Sequence, residues 1–186
     1  MTASPRNLAA LLSWFLLALV AGCTTTAPEP AQPMSEQSRF LVDPRIGFPG
    51  EASRRTQRDF ESGWLMFREG RLASAERELQ ALLRRDPDYR PAVLGLAAVA
   101  LERGQIERTA SLIAQAQQGL DSYLAARIYE AELEVSRGNL EQALGIYDQI
   151  VQQPQAPPVS VRRREQLKIY LIDRLLAAAK SAVEPL

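Results

Sequence analysis

The sequence has no histidine, one cysteine and two lysines among its 186 residues. A single cysteine cannot form a disulfide within the chain, and without histidine the usual Cys/His metal sites are excluded in a monomer. The 22 basic and 22 acidic side chains cancel, so the chain lacks the overall positive field that attracts nucleic acid. We therefore expect no metal site and no nucleic-acid partner.

Residues that could perform catalysis are equally scarce. Without histidine, the candidates are carboxylates, serines and the two lysines, and no Ser-x-x-Lys spacing occurs. The one dense carboxylate cluster comprises Glu130, Glu132 and Glu134. Because the middle residue of such a spacing points away from the other two on a helix, we interpret the cluster as a polar helix surface. We expect no enzyme, no catalytic residue and no small-molecule substrate.

An apolar run occupies residues 8–20, interrupted only by Ser13. As a helix it would reach about 20 Å, less than the roughly 30 Å hydrocarbon core of a bilayer. An export signal therefore fits this run better than a membrane-spanning anchor.

The run ends in Val20-Ala21-Gly22-Cys23, which resembles the lipobox of bacterial lipoproteins. The resemblance implies that residues 1–22 are a cleaved signal peptide and that Cys23 carries a covalent lipid, with no other cofactor. Thr24 is not aspartate, which in that family implies the outer membrane, at its periplasmic face. An ordinary secretory signal with an incidental or buried structural cysteine is the alternative.

The next two segments differ in composition. Residues 24–38 contain three prolines and no aromatic residue, so we predict that 23–38 is a lipidated, disordered linker. Fully extended, its 15 residues after the cysteine would span about 50 Å. Residues 39–50 are too apolar for a free linker, while their prolines and glycines exclude a long helix. We predict that 39–55 comprises an extended docking segment and the start of the first helix.

Three glycines, Gly70, Gly104 and Gly138, are each separated by 34 residues. A leucine or isoleucine follows two residues after each glycine, and a small residue precedes each by seven. A period of this length with small residues at fixed points is typical of stacked helical hairpins, which present surfaces to other proteins.

The unit resembles the tetratricopeptide repeat (TPR), with a small residue at the eighth place, glycine at the fifteenth and Ala75, Thr109 or Ala143 at the twentieth. It covers residues 56–155, as repeats 56–89, 90–123 and 124–155. The resemblance implies an all-α fold: a right-handed superhelical stack of three helix hairpins. Residues 156–186 are predicted to form a C-terminal capping helix.

In that family the first helices of the hairpins line a concave protein-binding groove. The resemblance assigns to this groove eight mostly apolar residues: Phe60, Trp64, Phe67, Leu94, Ala98, Leu101, Ile128 and Val135. Two interpretations stay open. The groove binds a hydrophobic peptide or helix of a partner, or it is filled by residues 39–50 or by the final helix.

The predicted final helix has two notable surfaces. Apolar side chains cover about half of its circumference, which suits a cap, a self-association surface or a binding face for another protein. Its start carries a possible basic patch of Arg162, Arg163, Arg164 and Lys168. This patch is either a solvated face or a site for anionic lipid or an acidic partner.

We therefore predict a non-catalytic, lipid-anchored scaffold that binds a protein partner in the bacterial cell envelope. Relatives of this plan assemble pilus or secretion pores or wall-remodelling machinery. The alternative function is a structural subunit that self-associates through its C-terminal helix.

Overall fold

A computed structural model describes residues 29–120 and 122–183 of the chain. Within these residues the fold is all-α, with seven α-helices, one short 3₁₀ helix and no strand. The helices, numbered in chain order, are α1 (Arg54–Arg68), α2 (Leu72–Arg85), α3 (Arg90–Glu102), α4 (Ile106–Gln117), α5 (Leu124–Ser136), α6 (Leu140–Ile150) and α7 (Pro158–Val183), and the 3₁₀ helix is Gln37–Phe40.

The first six helices form three hairpins, α1/α2, α3/α4 and α5/α6, and each hairpin packs on the next. The turn inside each hairpin contains one of the three periodic glycines, at φ 73° for Gly70, 68° for Gly104 and 80° for Gly138. Glycine adopts this left-handed backbone without the steric penalty that a Cβ imposes. The predicted stack of three hairpins is confirmed.

The small residues of the repeat allow the helices to approach closely. A Cβ on Gly63 would stand 3.0 Å from Cγ of Leu79, so a larger residue would require Leu79 or one of the two helices to shift. Ala75, Thr109 and Ala143 are all fully buried at their equivalent positions. Helix α3 is buried from Pro91 to Leu101, as expected for a helix apolar on nearly every side.

Residues 29–50, which we call the strap, lie against the stack. Glu29 accepts hydrogen bonds from the backbone N–H groups of Ala73 (3.0 Å) and Ser74 (2.7 Å) and so caps the N-terminus of α2. Gln32 donates its backbone N–H to the carbonyl of Gly70 (3.1 Å). The strap then follows the C-terminal ends of α1, α3 and α5 to the 3₁₀ helix and returns across the concave face.

The prediction of a disordered linker is therefore wrong for residues 29–38. Ser35 donates its N–H and hydroxyl to the Glu102 carboxylate (2.6 and 2.7 Å). The side chain of Gln37 donates to the carbonyl of Glu132 (2.5 Å) and accepts from the Ser136 hydroxyl (2.9 Å). Polar side chains bonded to helix ends hold this segment, where composition had suggested too little apolar area. The rest of the predicted linker, 23–28, lies outside the described residues.

Helix α7 follows the third hairpin and packs on α6, as the cap interpretation expects. Its buried residues are Ser160, Arg163, Leu167 and Leu171. Residues 172–182 are all exposed, so the second half of α7 extends past the stack. No helix among the described residues combines the length and apolarity needed to cross a bilayer.

Candidate protein-binding site

The eight residues assigned to the concave groove do share one face of the stack. They come from the first helix of each hairpin, which places them in register. Val135 is half-buried, and the other seven are at most 7% exposed: Phe60, Trp64, Phe67, Leu94, Ala98, Leu101 and Ile128.

The returning half of the strap covers this face. Leu41 and Val42 are buried in the same core. The Tyr129 hydroxyl donates to the carbonyl of Val42 (3.0 Å), and that of Tyr123 donates to the carbonyl of Pro44. Of the two interpretations left open by the sequence, the structure has the second: the chain's own residues 39–50 occupy the groove.

The two tyrosines satisfy polar backbone that would otherwise be buried without partners. Burial raises the pKa of Tyr129 well above its usual value, and it raises that of Tyr123 as well. Both phenols therefore stay protonated and can donate. The backbone N–H of Ala125 adds a bond to the carbonyl of Ile46 (3.0 Å). Sequence reasoning missed this pairing, since it joins residues about 80 positions apart.

Aromatic packing closes the N-terminal end of the same face. The ring of Phe48 lies 5.9 Å from that of Tyr89 and 5.7 Å from that of Tyr123. The guanidinium of Arg45 stands 5.3 Å from the Phe60 ring centroid. Strap and helices thus share one continuous core, so the strap resembles a built-in ligand of the concave face.

The possible basic patch is divided between the core and the surface, and it is contradicted at Arg163, which is buried. Arg163 is buried and bonds Glu132, Arg164 pairs with Glu165, and Lys168 lies 3.9 Å from both Glu165 and Asp148. Arg162 is exposed. Arg162, Arg164 and Lys168 stay at the surface, the last two beside carboxylates.

The Arg163–Glu132 pair is a buried bridge between α7 and α5. Nε and Nη2 of Arg163 donate to the two Glu132 oxygens (2.8 and 3.0 Å), and the Tyr147 hydroxyl donates to the first (2.7 Å). The guanidinium also stacks 4.0 Å from the Phe40 ring centroid of the strap. One ion pair therefore fixes α7 against α5, α6 and the strap together.

The expectation that Glu132 belongs to a polar helix surface is wrong, because its exposure is 0%. A signal for this was available in the repeat. Glu132 occupies the place that Trp64 and Ala98 hold in the first two repeats, and these face the core. A charge in that register calls for a buried partner of opposite sign.

A different apolar surface is exposed on α7. Four large side chains, which we call the α7 stripe, are exposed by 60, 55, 70 and 55%: Ile169, Ile172, Leu175 and Leu176. At 3.6 residues per turn they are centred about 150° around the helix from the docked residues Arg163, Leu167 and Leu171. Leu175 follows the docked row one turn beyond Leu171, where α7 has passed the stack, and the other three residues point away from the docked face.

Comparison with known proteins agrees with the hairpin fold. Residues 66–117 match a family model described as Tetratricopeptide repeat, a range that runs from the end of α1 to the end of α4. No curated protein and no solved structure matches the chain significantly. Among residues 29–120 and 122–183, no group of three or more potential metal ligands occurs. Residues 66–117 are therefore similar to a tetratricopeptide repeat, a fold common in protein–protein interaction scaffolds.

Proposed function

We propose that this protein is a non-catalytic scaffold, anchored by lipid at Cys23 to the outer membrane, which binds a protein partner in the periplasm through the α7 stripe. The repeat fold supports the scaffold class. The motif Val20-Ala21-Gly22-Cys23 supports the anchor; it lies outside the described residues. The envelope roles that suit such a scaffold are the assembly of a pilus or secretion pore and the assembly of wall-remodelling machinery.

The α7 stripe is the single observation that carries the interaction proposal. Exposed apolar side chains scattered singly are ordinary on a protein surface, whereas a contiguous row on one helix marks an interaction site. The concave face, where partners bind in many repeat proteins, is already filled by residues 39–50. The stripe is the apolar surface that stays accessible beside it.

The docked strap also constrains where an anchored domain would lie. Only residues 24–28 separate Cys23 from Glu29, whose carboxylate is bonded at the start of α2. Six residue steps span at most about 20 Å, against the roughly 50 Å of a 15-residue linker. A lipid on Cys23 would therefore keep the α1–α2 edge of the stack close to the bilayer.

Metabolic labelling with an acyl probe tests the anchor. The protein should be labelled and recovered in the outer membrane, and Cys23→Ala should lose both properties. Continued labelling of Cys23→Ala would contradict the assignment.

Crosslinking in intact cells tests the interaction surface. Leu176→Asp places a charge in the stripe, and its matched control Ala177→Asp places the same charge outside the stripe, about 100° further around the same turn. We expect protein adducts of the wild type to be lost in Leu176→Asp and kept in Ala177→Asp. Equal adducts in both variants would refute the stripe as the interface.

A further inference from the structure

The second half of α7 is helical without support from the stack. Residues 172–182 are exposed throughout, yet isolated helical segments of this length are marginal in water. In proteins such segments gain stability when an apolar face packs on something. The stripe is the face that this segment offers.

The spacing of the stripe is that of a coiled-coil seam. Ile169, Ile172, Leu176 and Ala179 follow one another by three, four and three residues, which corresponds to positions a, d, a and d of two heptads. Leu175 falls at the adjoining g position and widens the seam. A row of apolar side chains with this spacing fits another helix better than it fits an extended peptide.

We infer that the stripe pairs with the same stripe of a second copy, as a short parallel two-stranded coiled coil. This inference rests on the proposed function, because it names the occupant of the surface proposed there as a protein interface.

Charge complementarity favours a second copy. In parallel coiled coils, e and g side chains of the two helices form the flanking ion pairs. Lys168 falls at g and Asp173 at the e position five residues later, so two identical parallel helices would form this pair twice. In the single chain Lys168 is only loosely held, at 3.9 Å from its carboxylate neighbours.

The polar face of α7 does not suit a lipid surface. Helices that lie on membranes carry a strongly charged face opposite the apolar one. Here the side opposite the stripe holds one charge along the extending half, Arg174, beside Ala177, Ala178 and Ser181. A pairing helix needs only the stripe itself.

Membrane confinement would compensate for the shortness of the seam. Two heptads make a small interface, and interfaces below about 1,000 Å² are weak between free proteins. Anchoring both copies in one bilayer raises their effective concentration, which strengthens a weak contact without any new one. The pairing should therefore be tested on the full-length protein in its membrane.

The test is disulfide formation in intact cells from full-length protein carrying Ile172→Cys. In a parallel pair the two copies of a d residue face each other within reach of a disulfide. We expect a linked homodimer at least about tenfold more abundant than with Ala177→Cys, which lies on the opposite face. The parent chain, whose one cysteine is Cys23, should give no such dimer.

Further substitutions, made in the Ile172→Cys background, identify the contacts. Leu176→Asp should reduce the linked dimer at least about tenfold, and Ala177→Asp should leave it unchanged. Asp173→Lys should reduce it several-fold, and Lys168→Asp combined with Asp173→Lys should restore it, since the exchange rebuilds the ion pair with its signs reversed.

A photo-reactive residue at position 175 separates this inference from the proposed function. Adducts with the mass of a homodimer support the inference. Adducts with a different protein overturn it and leave the stripe as an interface. Adducts with lipid, or none, overturn both. Homodimer adducts without the 172–172 disulfide overturn the parallel arrangement and with it the inference as stated.

Discussion

Breaking the buried pair of Arg163 and Glu132 should test how α7 is fixed to the repeats. Arg163→Met leaves a carboxylate with 0% exposure and only the Tyr147 hydroxyl as its donor. Loss of one partner of a buried pair typically costs about 3–5 kcal/mol, and we expect a loss of that size in the free energy of unfolding. Glu132→Leu should cost less, since Arg163 is 8% exposed and keeps the Phe40 ring.

The double variant Glu132→Leu/Arg163→Met should recover most of this loss. It leaves no buried charge, and the remaining defect is the Tyr147 hydroxyl without its acceptor, which costs about 1–2 kcal/mol. The two substitutions should therefore be non-additive by at least about 2 kcal/mol.

Urea unfolding followed by circular dichroism measures these free energies, on the chain from Cys23 onward with Cys23→Ser. Arg162→Met is the matched control, because Arg162 is the exposed neighbour; its effect should stay within about 0.5 kcal/mol. If Arg163→Met costs no more than this control, or if Glu132→Leu and Arg163→Met are additive, the buried pair does not fix α7 to the repeats.

Three other predictions concern the strap and the hairpin turns. Tyr129→Phe should lower the free energy of unfolding by about 1–3 kcal/mol, because the buried carbonyl of Val42 loses its donor; an unchanged urea midpoint would contradict this. Gly70→Ala should cost more than Gly104→Ala: both turns have positive φ, but only at Gly70 would the Cβ collide with the Gln32 carbonyl. Limited proteolysis should then cut the strap faster in Gly70→Ala alone, and equal rates would argue against the docked strap. Burial acts to raise the pKa of Glu134, but hydrogen bonds from Asn139 and Arg137 outweigh burial and hold that pKa below its ordinary 4.5. Its stabilising contribution should be present above that value and lost as pH falls through the lowered pKa. Glu134→Gln should flatten that part of the stability–pH curve, and an unchanged slope would contradict the assignment.

The repeat was predictable because its determinants are local. Glycine at a turn of positive φ, and a small residue such as Ala75 where two helices approach, depend on neighbours within one hairpin. The 34-residue phase then assigned the eight concave residues to the first helices of the three hairpins, and they lie on those helices in the structure.

What covers that face was not decided by the sequence. The strap is held by non-local polar contacts, such as the Tyr129 hydroxyl on Val42 and the Glu29 carboxylate on the start of α2. Composition registers apolar area and prolines, and it contains no information on which carbonyl a distant hydroxyl will meet. The burial of Arg163 was not predicted for a similar reason. A run of three arginines is typical of a solvated surface, and only the register of its partner Glu132 indicates that one of them is buried.

The α7 stripe was predictable only in part. Its apolar residues were visible in the sequence, but a capping helix and a free interaction helix share that pattern. The structure separates them by showing that Leu167 and Leu171 dock while Ile172 and Leu176 do not.

The proposed function requires that the protein bind its partner through α7, while its concave face is filled by its own strap. Photo-crosslinking in the intact envelope compares the two surfaces directly, with the reactive residue placed either at Leu175 in the stripe or at Val42 in the strap. We expect intermolecular protein adducts from position 175 and only intramolecular products from position 42. Intermolecular adducts from position 42, with none from position 175, would contradict it.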